Sequence, residues 1–365
     1  MTDPSARGGP PREVVDIVTS SSFAQLSTLN RLGQPITDAL LPVPGPDHRT
    51  IDFGTGLAYP TKADRARRHP RVGILFTGPG GPDSPVAVIT AHAAVRDRDL
   101  QANTDRWVAA YRDTWLSPDA LDRDWERAVC YFVRVFISCT PTRAAWWPSG
   151  DLDSDPLRWE APAGAPIPDS DPEPDGPRTA GPRSDGPDWR AESRRVIGRA
   201  LPPPVLTTVG PDGHPLPVPT RSVTPCDSGF RVELASAVPW FAGGPACLSF
   251  EADRADPPGV GGNFLGRAEP PSAEGPDAGD AAVVFTVDRA LPPNCRAVAY
   301  RRNPADHLFQ PRDIQDFLMS RLHRELDRRG AEMPVIRGLD LSGRARPDSP
   351  EQQPARRPDP PTRAR

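Results

Sequence analysis

Lysine is almost missing from this chain: Lys62 is the only one among 365 residues, against 43 arginines. Such a replacement points to a compositional bias, and under that bias a retained ammonium is worth following. Cysteine is scarce too. The five thiols, Cys130, Cys139, Cys226, Cys247 and Cys295, include no CxxC pair, which argues against structural zinc and for reduced, unpaired thiols. No apolar run approaches the ~18 residues of a membrane helix. The opening MTDPSARGGPPR holds no apolar segment that could act as a secretory signal, so a cytoplasmic location is expected. A formal net charge of -4 supplies no global pull toward nucleic acid, and neither nucleic acid nor membrane is expected as a partner. Nucleophile triads, HExxH and Walker loops are lacking. "GVGGNFLG" follows the loop "DRADPP" and opens no evident helix, so it fails the context of a dinucleotide fingerprint. No metal ligands are expected.

Proline is present in excess, at 50 residues. Because proline removes a backbone donor, so many must gather outside packed elements. Residues 151–190 hold nine prolines, ten acidic residues and four arginines with few apolar side chains. Residues 150–188 are therefore expected to be a disordered linker, and 1–12 and the Pro/Arg-rich 339–365 to be disordered ends. Two domains remain, 13–149 and 189–338.

These two stretches echo one another. "LSTLNRLGQP" (26–35) matches "LTTVGPDGHP" (206–215) without a gap, Leu26, Thr28, Gly33 and Pro35 recurring as Leu206, Thr208, Gly213 and Pro215. Each copy reads as strand, glycine turn, strand, preceded by a short amphipathic segment, "REVVDIVTS" or "ESRRVIGRA". Further on, "HPRVGILF" answers "GPACLSFE", and "YFVRVFIS" answers "AVVFTVDR". Short alternating strands joined by turns predict a mostly β protein, each half a small antiparallel barrel. Besides short segments, two longer helices are predicted. One covers 100–116, with Leu100, Trp107, Val108, Tyr111 and Trp115 on one stripe. The other follows Pro311, with Ile314, Phe317, Leu318, Leu322 and Leu326 on a face and Gly330 as C-cap. It is assigned to the second domain.

"AYPTKADRARRHPRV" concentrates chemistry. Thr61 offers a hydroxyl, Lys62 an ammonium, and Arg65, Arg67, Arg68 and Arg71 follow closely. A short helix ending before Pro70 would add free first-turn N–H groups and a positive dipole end. This is the composition of an anion site. His69 and His92 are expected near this site and are read as structural histidines. His214, in a turn, is expected to be exposed.

The order "FAQLSTLNRLGQPITDALLPV", "YPTKADRARRHPRVGILFT" and "VAVITAHAAV", closing on "ISCTPTRAAWWPSGD", resembles the FMN-binding split barrels of the pyridoxamine 5'-phosphate oxidase-like group. In that group a Leu-x-Thr, Gly-x-Pro hairpin precedes a Ser/Thr-Lys segment, and the lysine stands eight residues before a Pro-Arg-Val strand start. Lys62 and Pro70 keep that spacing. The resemblance spans 13–148 and implies that Thr61 and Lys62, flanked by Tyr59, hold a flavin phosphate. Arg65 stands where many relatives have asparagine, and can add charge toward a phosphate or a longer anionic tail. The implied cofactor is FMN, with deazaflavin coenzyme or haem as alternatives in related barrels. The implied activity is oxidoreduction of a small molecule, with NAD(P)H as a candidate donor, and a non-catalytic binding module is the alternative.

Because such barrels dimerise to build the flavin cleft, a tandem copy implies an intrachain pseudo-dimer; a homodimer is the other possibility. The second copy departs from the pattern: where the first has "YPTKADRARR", it has "SAVPWFAGG", without a basic residue. Its own phosphate grip is expected to be lost, leaving Trp240 and Phe241 as candidate walls for the cofactor ring.

Overall fold

The computed structural model describes residues 9–45, 49–78, 83–115, 129–178, 186–197, 204–234, 243–250, 261–269, 282–292 and 312–337. In the first half, α1 (Arg12–Ser20) leads into β1 (Ala24–Leu29), β2 (Pro35–Leu40), β3 (Pro42–Pro44) and β4 (Ile51–Gly56). Then come α2 (Thr61–Arg68), β5 (Arg71–Thr77), β6 (Val86–Arg96), α3 (Leu100–Trp115), α4 (Val129–Phe132), β7 (Arg134–Trp147) and β8 (Leu157–Glu160). The second half has α5 (Trp189–Ile197), β9 (Val205–Val209), β10 (Pro215–Cys226), β11 (Gly229–Leu234), β12 (Gly244–Phe250), β13 (Gly262–Glu269), β14 (Ala282–Ala290) and α6 (Arg312–Arg329).

The chain is mostly β. Its first sheet runs β2-β1-β5-β6-β7-β4-β3, with β8 added on β7, and forms a half-barrel. The second closes fully in the order β10-β11-β14-β13-β12-β9. β10 is long enough to pair β9 with its first residues and β11 with its last, the two tasks that β2 and β3 divide in the first sheet. Replacing β2, β1, β5, β6, β7 and β4 by β10, β9, β12, β13, β14 and β11 turns one strand order into the other.

The two hairpin turns share their bonds as well. Asn30 N–H donates to the Gln34 carbonyl and Gly33 N–H to that of Asn30; Gly210 and Gly213 N–H groups make the same bonds to His214 and Gly210. Gly33 (φ 74°) and Gly213 (φ 80°) are both left-handed, a conformation that glycine adopts without penalty. The side chains of Asn30 and Asp212 each accept a backbone N–H two residues on, the Asx-turn that makes these residues good turn starters.

Each barrel has its own apolar centre. Phe53, Phe76, Phe136, Leu26, Ile74 and Ile89 are fully buried in the first. The second is built on Phe230, which meets Phe264 edge-on at 5.0 Å between ring centres, a favoured aromatic geometry. β1 is buried along its whole length because its outer face meets the second barrel. There Ser27, Thr37 and Thr207 form a buried hydroxyl cluster with separations of 2.8, 2.7 and 3.3 Å. β10 lies against β5, β1 and β6, while β2 lies against β12, β9 and β13. At Gly73 the two backbones nearly touch: a Cβ there would stand 2.0 Å from the Pro215 carbonyl oxygen.

Two expectations are corrected. The segment read as a disordered linker carries β8, paired to β7 from Arg143 to Trp146, and continues as a strap along the half-barrel. Its acidic residues are docked as well as hydrated. The Asp171 carboxylate accepts the backbone N–H groups of Asp97 and Arg98, at 2.9 and 3.0 Å, and Ser170 Oγ accepts that of Val95. The C-terminal helix also belongs elsewhere: Leu318, Leu322 and Leu326 of α6 enter the core of the first barrel. Phe317, expected on that face, is 44% exposed, since the leucines at intervals of four define the buried stripe. Gly330 (φ 56°) does end the helix, with Ala331 N–H returning to the Leu326 carbonyl. The expected disordered ends lie almost wholly outside the described residues.

Gly73→Ala is expected to shift the denaturant midpoint downward by ~1–3 kcal/mol of stability, the usual cost of overpacking. Gly33→Ala, with open space around its Cβ, costs only the backbone penalty. Equal losses in the two variants would argue against the close approach.

Candidate functional site

α2 starts where Pro60 sets the backbone, and no side chain caps it. The first amides of a helix have no intrahelical acceptors, and the N-cap proline has no side-chain acceptor to offer them. Ala63 and Ala66 are small enough to seat the helix on the half-barrel, and both are buried. The helix stops at His69, which is extended (φ -130°, ψ 90°) because the following Pro70 disfavours a helical predecessor.

Two side chains of α2, Lys62 and Arg65, converge on one carboxylate. Lys62 Nζ stands 3.5 Å from Asp38 Oδ1, and an Arg65 terminal nitrogen pairs with Asp38 Oδ2. Arg65 Nε donates to Thr28 Oγ1 at 2.7 Å. Burial pushes the Asp38 carboxyl up, but Lys62 and Arg65 outweigh it and hold the group below its ordinary value. Asp38 is thus ionised, and the trio keeps one positive charge in excess. The Lys62 side chain is only 12% exposed, withdrawn from bulk water. The preceding residue, Thr37, belongs to the hydroxyl cluster between the barrels and accepts Asn263 Nδ2 on its carbonyl at 3.0 Å, so the trio borders the junction.

Of the expected site residues, Lys62 and Arg65 meet on Asp38, while Tyr59 and Thr61 make no contact with that carboxylate among the bonds described. Thr61 is exposed at the first helical position. Tyr59, half-buried, packs on the core and receives the Arg321 guanidinium 5.8 Å from its ring centre. Trp240 and Phe241 lie outside the described residues. Sequence reasoning missed Asp38, a carboxylate on a strand between buried Thr37 and exposed Ala39, a pattern that carries no signal of a site. It also missed Arg178 on the strap. With Arg31, Arg178 crowds Arg68, and burial together with those charges depresses the Arg68 guanidinium. Positive charge thus extends along α2.

His214, expected to be exposed, is buried at 8% exposure. Its Nδ1 faces Asp212 Oδ2 at 3.1 Å, its ring meets His92 edge-on across the barrels at 6.2 Å, and its Nε2 is buried without a hydrogen-bond partner. Burial, with Arg143, His92 and Arg71, lowers its pKa to about 4. A cleft of about 930 Å³ lies apart from α2, between the start of α3 and residues 331–337. Three of its four arginines are engaged: Arg96 with Asp171, Arg106 with Asp52 and Arg337 with Asp105.

A phosphate suits the α2 site on chemical grounds. Uncapped first-turn amides, the Thr61 hydroxyl and the surplus charge of Lys62 and Arg65 are the donors such a group requires.

Among solved structures, the chain is similar to a conserved hypothetical protein from Mycobacterium tuberculosis, at 22% identity over 38% of this chain and 83% of that one, TM-score 0.30. General Stress Protein 26 from Bacillus anthracis matches at 16% identity over 40% and 95%, TM-score 0.28. A pyridoxamine 5'-phosphate oxidase-related, FMN binding protein from Nostoc punctiforme matches at 11% over 40% and 86%, TM-score 0.28. At these scores the likenesses carry no argument about what this chain binds. No protein-family model matches the chain, and no curated protein does.

The depressed His214 pKa makes a pH prediction. Because the unfolded chain binds this proton near 6.5 and the folded chain near 4, the contribution is complete above pH 6.5. It is lost as pH falls toward 4. Thermal midpoints measured from pH 7 to 4.5 are expected to fall, and the fall to be shallower in His214→Gln; parallel curves would refute the assignment.

Proposed function

We propose that this chain is a split-barrel pseudo-dimer that binds a phosphate-bearing flavin-type cofactor, FMN or deazaflavin, at the junction edge of α2. The observation that carries this reading is the Lys62–Asp38–Arg65 trio beneath an uncapped helix N-terminus, with one cation in excess. Thr61 and the α2 amides take phosphate oxygens, Lys62 supplies the balancing charge, and Arg65, tied to Thr28 and Asp38, fixes the helix that presents them. The strand-turn-strand and Thr-Lys segments, in the order that resembles the pyridoxamine 5'-phosphate oxidase-like group, support the same assignment.

The pseudo-dimer is supported by three features, two of them at a spacing of 180 residues. Turn bonds recur 180 residues apart, and Ser27 touches Thr207, itself 180 residues on. Contact between equivalent positions is what a twofold axis produces. Contacts across the junction are also reciprocal, β10 on β5, β1 and β6 being answered by β2 on β12, β9 and β13. Loss of basic residues from the second copy then leaves one competent edge.

When bound, a flavin supplies hydride or electron transfer, here to a small organic molecule with NAD(P)H as candidate donor; the chain contributes binding, orientation and exclusion of water. A second reading, a barrel pair that holds no cofactor, is favoured by Asp38, which already pairs both cations.

Titration of the purified protein with FMN and with riboflavin separates them. The first reading expects FMN to bind more tightly than riboflavin, and Lys62→Ala to weaken FMN by about 1.5–3 kcal/mol, roughly 10- to 150-fold, with riboflavin unaffected. Absence of binding by either flavin and by the deazaflavin coenzyme, in a protein that purifies colourless, would establish the second.

A further inference from the structure

α6 follows the second barrel in sequence yet packs on the first, against the segment that leads into α2. Arg321 is 2% exposed, and its Nε donates to the Ala58 carbonyl at 2.8 Å. That carbonyl lies two residues before the α2 N-cap. The guanidinium also stands near the Tyr59 ring. Burial depresses the Arg321 guanidinium, and Tyr59 and Glu325 offset this only in part. A buried cation is costly, and removing a hydrogen-bonded partner leaves a carbonyl unsatisfied.

The other end of α2 is tied to the same helix. Arg67 pairs with Asp97 at 2.8 Å, Asp97 pairs with Arg329 of α6 at 3.2 Å, and Arg329 pairs with the fully buried Glu325. Between these ties, Leu318, Leu322 and Leu326 share a core with Ala58, Ala63 and Ala66. The strap joins the clamp: Arg328 reaches Glu173 and the Pro174 carbonyl, each at 3.2 Å.

We propose that α6 is a built-in clamp on the phosphate-binding helix, and that Arg321 is a positioning residue which sets the Tyr59–Lys62 turn through the Ala58 carbonyl. The cofactor consequence rests on the flavin reading above; the clamp does not. Arg321 touches no phosphate itself. Its loss lets the turn relax, so Lys62 and the first amides of α2 no longer share one target. Phosphate recognition falls while binding of the ring is spared.

The test compares Arg321→Met and Arg321→Lys in the full-length chain. FMN affinity is expected to drop at least tenfold in Arg321→Met while riboflavin affinity changes less than threefold, and Arg321→Lys, which retains a cationic donor, recovers most of the loss. Hydrogen exchange supplies a cofactor-free reading: amides of residues 58–66 are expected to exchange at least tenfold faster in Arg321→Met, with β12 and β13 amides unchanged. If the unsubstituted protein binds neither flavin, the cofactor reading fails and exchange alone decides the clamp. Unchanged exchange at 58–66, or equal acceleration in both barrels, overturns it, as does an equal loss of FMN and riboflavin affinity.

Discussion

One half-buried carboxylate holds the candidate site together. Taking Asp38 out of water would cost several kcal/mol if it were alone, and Lys62 and Arg65 offset that cost by facing it from a single helix. β2, which carries Asp38, is also a strand of the barrel junction, so the same interaction joins the helix to the surface where the halves meet. Two cations on one anion leave a deficit of negative charge. An external phosphate is one way to fill it, and that links the internal packing to the binding chemistry.

The junction itself is governed by close approach. β1 approaches the second barrel closely at Ser27 because that residue is small: Ser27 meets Thr207 and Thr37 through hydroxyls that satisfy one another. Gly73 lets β5 come within backbone contact of β10. Larger side chains at these points would hold the barrels apart.

Arginine in place of lysine suits the way the outer elements are fastened. Guanidiniums offer several donors in a planar fork, and here Arg67 serves both Asp97 and the Asp171 carbonyl, while Arg328 spans Glu325, Glu173 and the Pro174 carbonyl. An ammonium is a single compact charge. The strap and α6 are each fastened to the half-barrel through such bridges, which convert an acidic, proline-rich segment into part of the wall around α2.

Local geometry was legible in the sequence where a residue type admits few conformations. Gly33 and Gly213 mark left-handed turns, β-branched residues mark the strands around them, and Leu318, Leu322 and Leu326 mark a helix with one apolar face. Lys62 and its neighbours were legible as a cationic cluster because charge type is written in the residue. The partners were not. A leucine stripe shows that a helix must be covered but not by which barrel, and acidic composition looks the same whether carboxylates are hydrated or docked on arginines. Asp38 beneath Lys62, Asp171 on the end of β6 and Arg321 behind Tyr59 were settled only by tertiary structure. Their pairing depends on which distant strands and helices the closed core forces into contact.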